Sequence, residues 1–387
     1  MISPISRSRP TPSGEGWKLV RMEWLLLPGA ASALAFFAFG NGWLSALANP
    51  WWAGFLFVWL FGAILNSAFA VVRHADCLAI KLGEPYGTLI LTLSVIGMEV
   101  MMVSAVMLGG TPDPAMARDT MFAVIMIVLN ALLGVALLVG GWRHHEQQYN
   151  LQGATSFLSM LVPLAASSLV LPYYTSADST STVFKFRATA LIVTTVGLYG
   201  AFLAMQTLRH PDHFAEPLKR QLPETMAATK EHPQFAVRSL PFHVGLLIAY
   251  LLPVVLLSKK LAIVLDYGAD RLGIPQALSG MVVAALILFP EGMASVRAAW
   301  DNRLQRAVNL IFGAALSTIA LTVPAVLAIS LATGRSVELG LSPVNQIMLA
   351  VTLIVCILTC TTGRTNVLNG LIHVVLFVAY FILLFEP

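Results

Sequence analysis

Long apolar stretches separated by short polar ones set the pattern of this chain. Stretches long enough to cross a bilayer as a helix, about 20 residues, recur near residues 24–40, 51–72, 86–108, 120–141, 155–174, 188–207, 241–258, 278–298, 307–331, 344–362 and 366–385. Segments such as "MFAVIMIVLNALLGVALLVGG" and "LIHVVLFVAYFILLF" are continuously apolar, whereas a spanning β-strand would alternate over about 10 residues. In hydrocarbon a helix satisfies its backbone N–H and C=O groups within one segment. The pattern predicts an all-α polytopic membrane protein with about 11 transmembrane helices.

Composition agrees. Hydrophobic residues make up 57 % of the 387 and charged ones 11 %, with mean hydropathy +0.79, against about 25 % charged in an ordinary soluble domain. The first 22 residues are polar and carry Arg7, Arg9, Lys18 and Arg21, so no cleavable signal peptide is expected. With the N-terminus in the cytoplasm, 16 Lys and Arg fall on inner segments and 7 on outer ones, the positive-inside bias of a cell-membrane protein. A bacterial inner membrane is the expected location. The net charge of +4 then reflects topology and asks for no nucleic-acid partner; the expected surroundings are lipid.

The stretch "RHPDHFAEPLKRQLPETMAATKEHPQF" from Arg209 to Phe235 reads as a linker between two halves. Its histidines His210, His213 and His232 have no compact ligand spacing. The expected organisation is a cytoplasmic tail (1–22), an extra N-terminal helix (23–50), a first five-helix repeat (51–207), a cytoplasmic linker (208–240) and a second five-helix repeat (241–387). Each half leads from an amphipathic segment, "HADCLAIKLGEPYG" or "KKLAIVLDYGADRLGIP", into a span holding one acid, and then into a span rich in small residues. Because five is odd, the second copy must lie inverted, a transporter architecture with its site at the midplane.

The two acids are Glu99, alone between Glu84 and Asp113, and Glu291, alone between Arg271 and Arg297. An ionised acid inside a membrane costs roughly 3 kcal/mol on insertion scales unless it is neutralised, paired or wetted. Two lone acids at matching positions point to one shared site. Pro290 frees backbone carbonyls beside Glu291, and Gly97 and Gly292 permit close helix approach. Carboxylates and carbonyls are the ligands that hard cations prefer.

In "GEPYGTLILTLSV", "HHEQQYN", "LYGAFLAMQTLRH", "LFPEG", "NRLQRAVNLIFGAALSTIALTVP" and "TGRTNVLNG" the chain resembles the calcium/cation–proton exchangers of the cation antiporter superfamily, most closely their bacterial sodium-potassium/calcium–proton antiporter branch. The resemblance runs from about residue 60 nearly to the end. It implies a secondary active antiporter, not an enzyme, that exports Ca²⁺ and/or Na⁺ or K⁺ in exchange for protons by alternating access. Glu99 and Glu291 would bind cation and proton in turn, and no organic cofactor is implied. Asn130 and Ser317 stand where relatives line the cation path, and Ser94 and Pro290 join them as candidate lining residues.

The chain departs from the calcium specialists in lacking Gly-Asn before each acid, with "VIGME" and "FPEG" instead, and in having Thr362 and Asn369 where those proteins carry acids. Fewer oxygen ligands leave room for sodium or potassium. His74 and Asp76, near the cytoplasmic mouth, are candidates for a proton path; an interfacial acid paired with Arg73 or Lys81 is the simpler reading of Asp76. His373 suits a helix-packing hydrogen bond, and Cys77, Cys356 and Cys360 suit packing thiols. No Gly-x-Ser-Gly, Gly-x-Gly-Asp or His-Glu-x-x-His occurs, which removes three intramembrane enzyme chemistries. A cation channel and a strictly Ca²⁺-specific proton exchanger are the alternatives, the channel less favoured by two inverted halves in one chain.

Overall fold

The computed structural model describes residues 26–82, 86–109, 114–175, 181–217 and 239–385. The tail at 1–22 and the linker residues 218–238 lie outside them. Helices in chain order are α1 (Leu26–Ser45), α2 (Pro50–Leu82), α3 (Tyr86–Gly109), α4 (Met116–His144), α5 (Leu151–Tyr174), α6 (Thr182–Arg209), α7 (Leu240–Leu272), α8 (Gln276–Trp300), α9 (Leu304–Thr333), α10 (Pro343–Thr359) and α11 (Val367–Leu383). Seven of these (α2, α4 to α9) are long and apolar enough to cross a membrane, while α10, α11 and the stretch Thr92–Ser104 of α3 are shorter apolar helices. Large apolar side chains such as Phe37, Trp51 and Trp142 stand exposed, as on a lipid-facing surface.

Local chemistry sets the helix ends. Asn150, Ser181, Ser342 and Asn366 cap α5, α6, α10 and α11, each side chain accepting a backbone N–H of the first turn, which satisfies donors that have no partner inside the helix. Gly273 and Gly334 close α7 and α9 at φ 65° and 70°, a conformation that disfavours any residue with a Cβ.

Packing gathers most of the buried side chains into two large cores. The long helices α2 and α7 pair along their length and take α1 with them, while α4, α5, α9 and α11 build the larger body. In α4 and α9, 72 % of the apolar stretch is buried, against 22 % in α6, so these two occupy the centre. Both carry a π turn, at Ile127–Leu132 and at Thr318–Thr322; such turns shift the phase of the side chains that follow. Helix α8 feeds both cores, with Leu286 and Ile287 in one and Ala284 and Leu288 in the other; α3 sends Met98 and Met102 into the α2/α7 core. The acids thus ride on the helices between the two bodies.

Close helix approach depends on two glycines. A Cβ on Gly370 would sit 2.6 Å from Leu138 N and 2.8 Å from Gly134 O, and one on Gly134 would sit 2.9 Å from Val374 N. At the end of the molecule near residue 300, "HHEQQYN" and "TGRTNVLNG" meet. Gln147 pairs with Thr365 and Gln148 with Arg364 in a two-residue antiparallel ladder, and Arg364 lies 3.7 Å from Glu146.

Candidate cation and proton site

Glu99 sits in the middle of α3 and is 4 % exposed. Such burial demands partners, and α9 supplies them: Thr318 Oγ1 donates to Glu99 Oε2 and Thr322 Oγ1 to Glu99 Oε1, both at 3.0 Å. The two threonines bound the π turn of α9 and are fully buried. A carboxylate accepting charge-assisted hydrogen bonds on both oxygens is fixed in orientation.

Glu291, half-buried on α8, lines a cavity of about 630 Å³ together with Glu99. Pro290 before it is buried and has no N–H for the carbonyl four residues back. Gly292 after it lets α8 touch the π turn of α4, since a Cβ there would lie 2.7 Å from Leu132 Cδ2. The cavity runs from the acids past Ser317 and Tyr199 to Asn309, Pro211 and the exposed Arg306 at the start of α9. On the other side of the carboxylates, Val103, Ala117, Met121, Val323, Val326 and Leu327 form a buried apolar cluster. One end of the site is open and the other is plugged.

The remaining sequence candidates are placed as follows. Ser317 lines the cavity, but its hydroxyl donates to Ala314 O at 3.0 Å. Ser94 donates to Ile90 O at 2.7 Å and is not among the lining residues. Asn130 lies in the π turn of α4 and faces the body: its amide donates to Thr352 Oγ1 at 2.9 Å and its oxygen lies 3.4 Å from His373 Nδ1. His373 reaches Thr359 Oγ1 at 3.0 Å, so it joins α4, α10 and α11 as a packing contact. His74 is 3.0 Å from His243, Nδ1 to Nδ1, with Arg73 at 3.2 Å and Tyr250 stacked on its ring; this pair joins α2 to α7. Neither His74 nor the half-buried Asp76 lines the cavity. Cys77, Cys356 and Cys360 are buried free thiols.

Sequence reasoning missed Thr318 and Thr322. Their signal was two hydroxyls four residues apart in "STIALT", inside an otherwise apolar span opposite a buried acid. A segment outside the membrane spans also frames the mouth. Asn309 donates to Phe214 O at 2.7 Å, Asn150 to Asp212 O at 3.0 Å, and Arg303 pairs with Glu216 at 3.1 Å. Among the described residues no group of three or more His, Cys, Asp or Glu is placed to hold a metal ion.

Similarity to known proteins bears on this geometry. The sodium-potassium/proton antiporter ChaA of Escherichia coli strain K12 is 40 % identical over 322 residues, 83 % of this chain and 86 % of that protein. A Ca²⁺/H⁺ antiporter of Synechocystis is 22 % identical over 266 residues, 66 % of this chain and 71 % of that one. The solved structure of YfkE superposes with a TM-score of 0.70 over 93 % of this chain and 99 % of that one at 17 % identity, which shows a shared fold. The family model for sodium/calcium exchanger proteins matches residues 52–208 and 242–386, a stretch on each side of the linker with one of the two acids in each. With most of its length so matched, the chain belongs to the sodium/calcium exchanger protein family.

Proposed function

We propose that this chain is a secondary active antiporter that moves cations out of the cytoplasm in exchange for protons, by alternating access to one site built from Glu99 and Glu291. The observation that carries this reading is the joint exposure of both acids to one cavity that opens at one end and is plugged at the other. A channel needs a continuous path, whereas a one-sided cavity suits a carrier that exposes its site to each side in turn. Inorganic cations and protons are the transported species, and the likeness to ChaA, a sodium-potassium/proton antiporter, supports monovalent ions among them. The likeness to the Synechocystis Ca²⁺/H⁺ antiporter supports Ca²⁺.

Eleven membrane crossings follow if α1, α3, α10 and α11 span with the seven longer helices. The halves then correspond as α2 to α6 and α7 to α11, with α1 extra. Support comes from the matching order: α2 and α7 are both 33 residues long, and α4 and α9 are the two most buried spans. With the N-terminus and the linker in the cytoplasm, the cavity mouth at Arg306 faces inward. A cytoplasmic cation entering there displaces protons from the carboxylates. The two bodies rearrange, the apolar plug opens, and external protons displace the cation. Both carboxylates sit in a low-dielectric site, which keeps protons competitive with cations.

The test is proton flux in everted membrane vesicles or in liposomes holding the purified protein, with Ca²⁺, Na⁺ and K⁺ added separately. Dissipation of a preset proton gradient by at least one of them, absent from protein-free vesicles, is expected. Charge movement down a cation gradient without coupled protons would replace the antiporter with a channel.

A further inference from the structure

Among the described residues, the only charged side chain lining the cavity besides the two glutamates is cationic: Arg306, in the first turn of α9. It is exposed, and among the described residues its guanidinium makes no hydrogen bond or ion pair, whereas Arg303 one turn earlier is paired with Glu216. Arg306, Asn309, Gly313 and Ser317 form one stripe of α9 along the cavity wall, and the stripe ends beside Thr318, which holds Glu99. At 1.5 Å rise per residue, Arg306 stands about 18 Å along the axis from Thr318. That is too far for Arg306 to share a bound ion with Glu99. It is well placed to act on an ion in transit.

A positive charge at the entrance of a cation site opposes the cargo, and it does so in proportion to the cargo's charge. For an ion passing at about 6 Å under water-like screening, the repulsion lowers entry about threefold per unit charge, and more where the walls reduce the effective dielectric. A divalent ion bears that factor twice. We propose that Arg306 is a charge filter at the cavity mouth that favours monovalent over divalent cations for entry to the Glu99/Glu291 site. This rests on the antiport reading above and names a residue that sets its selectivity. The filter acts on encounter, so it belongs in kcat/KM; the rate at saturation is left to the acids. Mobile ions screen it, since the Debye length is about 8 Å at physiological ionic strength.

The experiment measures kcat/KM for Ca²⁺ and for Na⁺ by proton flux in liposomes of neutral lipid, with the ions presented on the Arg306 side and ionic strength varied with choline chloride. Arg306→Gln is expected to raise the Ca²⁺-to-Na⁺ ratio about threefold or more at low ionic strength. The gain shrinks in high salt, and Arg306→Lys keeps the wild-type ratio. An unchanged ratio in Arg306→Gln overturns the filter and leaves Arg306 a topological anchor. A change of equal size at low and high salt also overturns it, because shape and not charge would be responsible. If the glutamine variant does not fold, Arg306→Met carries the test with the same outcomes: a Ca²⁺-to-Na⁺ ratio raised at low ionic strength is expected, and an unchanged ratio overturns the proposal. A wild type that exchanges neither ion fails the antiport reading itself, an outcome separate from an active protein with a fixed ratio.

Discussion

Thr318 on α9 donates a hydrogen bond to Oε2 of Glu99 on α3 at 3.0 Å, joining residues 219 positions apart. Thr322, four residues on, holds the other oxygen. The acid of one family-matched segment is therefore oriented by hydroxyls of the other.

Removing one of these donors should be felt by the cation. A hydrogen bond to a charged group contributes about 1.5–3 kcal/mol, so Thr318→Val or Thr322→Val is expected to raise the KM for cation by about tenfold or more. Thr318→Ser, which keeps the hydroxyl, should stay near wild type. Proton-flux titrations of the three variants check this, and equal KM values for valine and serine would remove the hydroxyls from the site.

The carboxylates themselves should be indispensable. Glu99→Gln and Glu291→Gln keep shape and lose the charge that must alternate between cation and proton, so each should abolish exchange while the protein still purifies as a folded species. Reconstituted rates near wild type in either variant would contradict the shared site.

Stability should respond where α4 meets α11. A side chain at residue 370 would enter within 3 Å of the Leu138 N and the Gly134 O, and backbone cannot retreat as a flexible side chain can. Overpacking of this kind costs about 1–3 kcal/mol. Gly370→Val should lower the melting temperature in detergent, whereas Gly313→Ala, with open space around it, should not. The reverse order would show that the two helices are not packed this closely.

The charge count predicts the topology: with eleven crossings and a cytoplasmic N-terminus, 16 Lys and Arg would fall inside and 7 outside. A single cysteine in the segment 208–240, in a background lacking Cys77, Cys356 and Cys360, should resist an impermeant reagent in intact cells and react in everted vesicles. Labelling in intact cells would turn the protein over.

Ion preference should be broad. Calcium favours six to eight oxygen ligands, and the described site offers two acids, hydroxyls and no third carboxylate. Both monovalent ions and Ca²⁺ should dissipate a proton gradient, with Ca²⁺ gaining as the pH rises because fewer protons compete for the acids. A response to Ca²⁺ alone, at saturating Na⁺ and K⁺ between neutral and alkaline pH, would show that the ligand count does not set selectivity.

The sequence by itself determined where the helices run. Apolar stretches of spanning length must become helices in lipid; each stretch read from the pattern falls on a helix, seven of which are long and apolar enough to cross a membrane, while α2 and α7 run on past 72 and 258 to Leu82 and Leu272. It also singled out Glu99 and Glu291, because a lone acid in an apolar run is conspicuous whatever surrounds it. Which polar side chains meet those acids was decided by tertiary structure. Consecutive residues on a helix point about 100° apart, and a π turn shifts the phase again, so Ser317 and Thr318 part company: one bonds its own helix and the other holds Glu99. Asn130 has the same small-residue surroundings in sequence, yet it turns into the body toward Thr352 and His373. His74 finds its partner at His243, 169 residues away. In a span that is apolar all round, periodicity marks no inner face, and only the packing of the two bodies against α3 and α8 chooses one.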